Sequence, residues 1–99
     1  MFRANLCFDE KANLDSEVDA LRAGAARAGL SGPTIDQLIH EFRGVLAPLI
    51  NGGQLLKQQG SRLAVDRTIA GKGYSVKLAF GVGRQLGLLD RLVRLLKGQ

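Results

Sequence analysis

Two runs of alternating apolar residues, 61–70 and 73–82, flank Gly71-Lys72, and no other part of the chain leaves so little freedom of conformation. Period-two alternation is the pattern of a strand with one buried face. A two-residue connection containing glycine suits a primed hairpin turn with its positive φ angles. Pairing about that turn sets Ile69 opposite Tyr74, Val65 opposite Leu78 and Leu63 opposite Phe80 on one face. On the other face Asp66 meets Lys77 and Thr68 meets Ser75, an ion pair and a hydroxyl pair. A one-residue slip would exchange the two faces and spoil both sets. Only Arg67, opposite Val76, interrupts the apolar face.

An apolar hairpin face needs a layer to cover it, and helical periodicity upstream supplies one. Leu14, Val18, Leu21, Ala25 and Ala28 predict a helix over 14–28. Ser16 and Asp19 can form its capping box, Asp15, Glu17 and Asp19 suit its positive end, and Gly29-Leu30 fits a Schellman stop. Ser31-Gly32-Pro33 reads as a turn. Thr34 with Gln37 then opens a second helix that turns Ile35, Leu38, Ile39, Phe42, Val45, Leu46 and Leu49 inward. Pro48 should kink or restart it, and Asn51-Gly52-Gly53 should end it, with a further helical turn over 54–59. The short connection makes the two helices antiparallel neighbours. Phe2, Ala4, Leu6 and Phe8 alternate with Arg3, Asn5 and Cys7, a candidate N-terminal strand.

The chain closes on a third periodic segment. At about 100° per residue, Leu86, Leu88, Leu89, Leu92, Val93, Leu95 and Leu96 span an arc of roughly 180°. Arg84, Arg91, Arg94 and Lys97 gather opposite. A helix seated on one core commonly needs an apolar stripe only somewhat wider than about 100°, so this one has apolar surface to spare. The expected fold is α+β in one domain, 1–99: a helical hairpin, an antiparallel β-hairpin with Phe2–Phe8 as a candidate third strand, and a C-terminal amphipathic helix.

Composition bounds the function classes. Ninety-nine residues with 45% apolar and 23% charged side chains make one small soluble core. Cys7 is the single cysteine, so the chain holds no internal disulfide. Acidic Asp9 and Glu10 interrupt the N-terminus before any apolar signal region forms. The longest apolar run, 45–50, falls far short of the roughly 20 residues of a membrane span. A reducing cytoplasm is the expected compartment. Residues 1–50 carry five basic and seven acidic side chains, net −2, whereas 51–99 carry nine and two, net +7. Such polarity fits nucleic acid, an acidic surface, an acidic partner or self-association.

Motifs that resemble cofactor sites do not survive inspection. Gly81, Gly83 and Gly87 have nearly the spacing of a dinucleotide loop, but such a loop opens a βαβ unit, and only 12 residues follow Gly87. These glycines fit a strand-to-helix turn, whose amides beside Arg84 offer at most an anion contact. Gly71-Lys72-Gly73-Tyr74-Ser75 lacks the spacing and the following helix of a phosphate loop. His40, the only histidine, lies off the apolar stripe near Asp36 and Arg43, with no nucleophile placed beside it. The acidic group Asp9, Glu10, Asp15, Glu17 and Asp19 lacks calcium-loop spacing. No catalytic, cofactor or metal site is expected, nor a small-molecule substrate.

The expected function is therefore a non-catalytic protein–protein interaction module, homo-oligomeric or bound to a protein partner through Leu86, Leu88, Leu89, Leu92, Val93, Leu95 and Leu96. The alternative is a nucleic-acid-binding protein that loosely resembles a winged helix–turn–helix. In it, Gln54, Lys57, Gln58 and Gln59 face the bases, and Lys57, Lys72, Arg84, Arg91, Arg94 and Lys97 supply the charged contacts. A membrane surface is the weaker partner, since the last segment lacks interfacial aromatics.

Overall fold

The computed structural model describes residues 1–83. The expected C-terminal amphipathic helix lies outside the described residues. The described elements are β1 (Phe2–Phe8), α1 (Leu14–Arg27), α2 (Gly32–Gln58), β2 (Leu63–Gly71) and β3 (Tyr74–Val82). The three strands form one mixed sheet in the order β1-β3-β2, and the class is α+β.

The N-terminal alternation is a strand, and it pairs in parallel with β3, from Phe2 beside Tyr74 to Phe8 beside Phe80. Parallel neighbours cannot be joined by a tight turn. The helices, together with β2, provide the crossover that brings β3 alongside β1. The Phe2 amide donates to the Gly73 carbonyl at 2.9 Å, tying the chain start to the hairpin tip.

The hairpin differs from expectation by two residues. Ile69 pairs with Val76, Arg67 with Leu78, Val65 with Phe80 and Leu63 with Val82; Thr68 faces Lys77 and Asp66 faces Ala79. Gly71 belongs to β2, opposite Tyr74, and the turn residues are Lys72 and Gly73. Two features enforce this. The Tyr74 ring occupies the space that a Cβ on Gly71 would need, so this glycine sits under the ring as a strand residue. The positive φ falls on Gly73, at +95°, and not on Lys72, which is the φ pattern of a type II turn rather than a primed one. A two-residue shift leaves every side chain on its expected face, because the period is two. Arg67 is exposed, its guanidinium donating to the Asp66 carbonyl at 2.9 Å.

Both helix starts lie upstream of the expected caps. Asn13 caps α1, its Oδ1 accepting from the Ser16 amide at 3.0 Å, so Ser16 is inside the first turn. Ser31 caps α2, its hydroxyl accepting from the Thr34 amide, and Gly32-Pro33 open the helix rather than precede it. Proline is tolerated there because a first-turn N–H has no helical acceptor. Both helices end in the two hydrogen bonds of a Schellman motif: Gly29 to Ala26 and Leu30 to Ala25, then Gly60 to Lys57 and Ser61 to Leu56. For α1 the expected stop is the observed one.

The second helix does not end at Asn51-Gly52-Gly53. It continues through Pro48 and both glycines to Gln58, a single element of 27 residues. Gly53 is buried, and a Cβ there would stand 2.7 Å and 2.9 Å from the Phe80 ring and 3.2 Å from a Val82 methyl. The glycine thus serves helix–sheet packing, not helix termination. The segment 54–59 is consequently the end of α2 and not a separate short helix, so the third helix of the winged arrangement is not formed by those residues.

Two ion pairs record how the helices lie. Arg22 contacts Asp36 at 3.2 Å and Asp15 contacts Arg43 at 3.6 Å, so seven residues back along α1 match seven forward along α2. The pair is antiparallel, as the short connection implies. These exposed pairs mark geometry more than stability, at about 0–1 kcal/mol each.

The helices cover one face of the sheet. Phe8, Tyr74, Val76, Leu78, Phe80, Val82 and Ile69 meet Val18, Leu21, Ala25, Leu38, Ile39, Phe42, Leu46 and Ile50 in a single core. Phe8 and Phe42 meet edge to face, centroids 5.9 Å apart.

Candidate interaction surface

The opposite face of the sheet carries the alternate residues of the same strands. Across it, β1, β3 and β2 place Arg3, Ser75 and Ala70 in one row, Asn5, Lys77 and Thr68 in the next, and Cys7, Ala79 and Asp66 in a third. Gly81 and Ala64 continue the pattern where β3 ends. Short side chains dominate, and the long ones, Arg3 and Lys77, are polar. A sheet face that meets water normally alternates fully to polar residues; this one keeps a path of Cys, Ala, Ser and Gly along its middle. A shallow groove of about 390 Å³ crosses it between Asn5, Cys7, Asp66, Thr68, Lys77 and Ala79.

Exposure along this face is uneven. On β3, Lys77 is exposed, Ala79 half-buried and Gly81 buried. The helices lie on the other side of the sheet and cannot supply that burial.

Of the basic residues singled out from the sequence, Lys57 and Lys72 are described. Lys57 ends α2, its Nζ 3.9 Å from the carboxylate of the buried Glu10. Gln54 also donates to the Glu10 carbonyl, so this end of α2 holds the β1–α1 loop. Lys72 is at the hairpin tip. The nine residues of β2 separate the two ends by about 30 Å, so Lys57 and Lys72 do not make one contact cluster. Beside Lys57, a depression of about 530 Å³ includes Gly60, Ser61, Arg62 and Gly83. Arg62 was not singled out from sequence, because only the fold brings the end of α2 beside the end of β3. Leu86, Leu88, Leu89, Leu92, Val93, Leu95 and Leu96, with Arg84, Arg91, Arg94 and Lys97, lie outside the described residues.

The groups weighed for chemistry are kept apart. His40 is exposed on α2, while Cys7 belongs to the face of the sheet turned away from the helices. Among the described residues, no three His, Cys, Asp or Glu side chains gather as a metal site. Asp9 instead accepts from the Lys11 amide at 2.8 Å within its own loop.

One buried polar contact was not visible in the sequence. The Tyr74 hydroxyl donates to Glu41 at 2.5 Å, and Gln37 donates to the other Glu41 oxygen at 3.2 Å. Burial, reinforced by the Glu41 carboxylate, pushes the Tyr74 phenol up from 10.0 to about 12. The hydroxyl is satisfied within the core, so this is a fold-locking contact.

Among the described residues, no helix is long and apolar enough to cross a membrane. Compared with protein-family models, curated proteins and solved structures, the chain gives no significant match.

Proposed function

We propose that the protein is a non-catalytic interaction module that self-associates through the apolar surface of an amphipathic helix over 84–96. The observation that carries this reading is the one-sided layering of the described fold: the helices use one sheet face, and the other presents short side chains suited to a further layer. The sequence adds seven apolar residues, Leu86, Leu88, Leu89, Leu92, Val93, Leu95 and Leu96, on an arc too wide for a single seat. A domain of this size also gains stability by burying such surface against a partner.

The test is light scattering on the full chain across micromolar concentrations. The wild type is expected to be dimeric or larger. Leu88→Glu with Leu95→Glu should dissociate it while circular dichroism stays folded, since a charge at a buried contact suffers desolvation. A wild type that is monomeric at high micromolar concentration would sink the proposal.

The +7 charge of residues 51–99 supports a second reading, nucleic-acid binding. Generic DNA added in the same measurement separates the two. A complex that dissolves as salt rises, and that Arg91→Ala with Arg94→Ala abolishes without altering the oligomer, would favour nucleic acid.

A further inference from the structure

We propose that residues 84–99 seat on the outward face of their own sheet, forming a third layer opposite α1 and α2. Burial points to the place. Exposure falls from Lys77 through Ala79 to Gly81, towards the point where the chain leaves β3, although the two helices lie on the other side. Side-chain size points to the kind of occupant. Cys7, Ala64, Ala70, Ser75, Ala79 and Gly81 leave room for a second element to approach closely, and the groove among them runs across the central strand.

Connectivity selects the chain's own segment. Only Gly83 separates the end of β3 from residue 84, and its φ of +77° turns the backbone out of the strand direction. The 16 residues that follow would span about 24 Å as a helix, against about 30 Å for nine-residue β3. A segment tethered this closely faces its own sheet at an effective concentration in the millimolar range, ahead of any second copy in dilute solution. Its leucine arc supplies the apolar surface that the short outward side chains lack. This inference stands apart from self-association: it concerns the seat of one margin of the arc, whereas self-association concerns the other margin.

The single cysteine makes the test direct, because Cys7 lies within the outward face. In the full chain, Leu88→Cys, Leu89→Cys, Leu92→Cys and Val93→Cys are made one at a time, with Asp90→Cys and Arg91→Cys as controls from the polar side. Each is oxidised mildly and run on a non-reducing gel. Expected is an intramolecular disulfide to Cys7, of monomer mass, from at least one arc position, forming at least tenfold faster than from either control. As a second measurement, Leu89→Glu with Leu92→Glu should speed alkylation of Cys7 at least tenfold while circular dichroism stays folded. Equal rates from arc and control positions would describe a tether that does not dock, and would overturn the proposal. Disulfide-linked dimers in place of the internal bond would overturn it in favour of an exchanged segment. Light scattering fails or succeeds independently of either result, so loss of the dimer would not be mistaken for loss of the seat.

Discussion

The two faces of the sheet are built from the same three strands, yet they follow opposite rules. The inward face carries Phe8, Tyr74, Val76, Leu78, Phe80 and Val82, large side chains that fill the space to the helices. There the helix concedes room: Gly53 is bare so that Phe80 and Val82 can stand under α2. On the outward face the sheet itself concedes room, with Cys7, Ser75, Ala79 and Gly81 beneath whatever covers it. Large side chains against a stripped helix make an interdigitated core intolerant of volume changes. Short side chains make a platform whose own residues contribute little area. Substitutions should therefore differ in size between the faces at neighbouring positions.

The largest effect is expected at Phe80. Its side chain is fully buried between β1, β2 and α2, so Phe80→Ala should cost about 3–5 kcal/mol in denaturant unfolding. A loss below about 1 kcal/mol would show that the inward face is not the tightly packed one.

Next comes Gly53→Ala. The new methyl would press on a Phe80 ring that has nowhere to move, an overpacking cost of about 1–3 kcal/mol set against about 1 kcal/mol of helix propensity. Gly52→Ala, one residue along with open space around it, should instead stabilise by up to about 1 kcal/mol. Opposite signs at adjacent glycines would sharpen the comparison. Equal gains would mean that α2 stands farther from the sheet.

Tyr74 tests the polar edge of the inward face. Tyr74→Phe should cost about 1–3 kcal/mol by leaving the Glu41 carboxylate short of a donor. As the chain's only tyrosine, and with no tryptophan present, its phenolate absorbance can be followed directly. It should titrate near pH 12 in the folded protein rather than near 10. The folded state then holds the proton that the unfolded chain releases. Stability should be intact below pH 10, fall as pH rises through 12, and lose that dependence in Tyr74→Phe.

The smallest change is expected on the outward face, at Lys77→Ala. This exposed residue sits between Asn5 and Thr68 in the middle of the sheet, and its truncation should shift stability by no more than about 0.5 kcal/mol. A loss like that of a core residue would make the two faces energetically alike and undo the contrast.

Local patterns determined the elements. The 3.6-residue repeat of Leu14, Val18, Leu21 and Ala25 required a helix, and Gly29-Leu30 closed it, because a Schellman turn is made of neighbours. The alternations in 2–8, 63–71 and 74–82 required strands with one apolar face, since side chains two apart must share a face. Decisions between distant residues were tertiary. A period of two cannot distinguish two hairpin registers that differ by two residues; the Tyr74 ring over Gly71 did that. Glycine at 53 looks like a helix breaker by propensity, and only the approach of Phe80 turns it into a packing residue within a continuous helix. Nothing within Phe2–Phe8 specifies a neighbour; the crossover through α1, α2 and β2 made it the parallel partner of β3. The outward residues, short but not apolar enough to declare a second core, read as a solvent face until the strands were set side by side. Propensity and periodicity act over a few residues, whereas register, helix–sheet distance and strand order are settled by contacts that exist only once the chain has closed on itself.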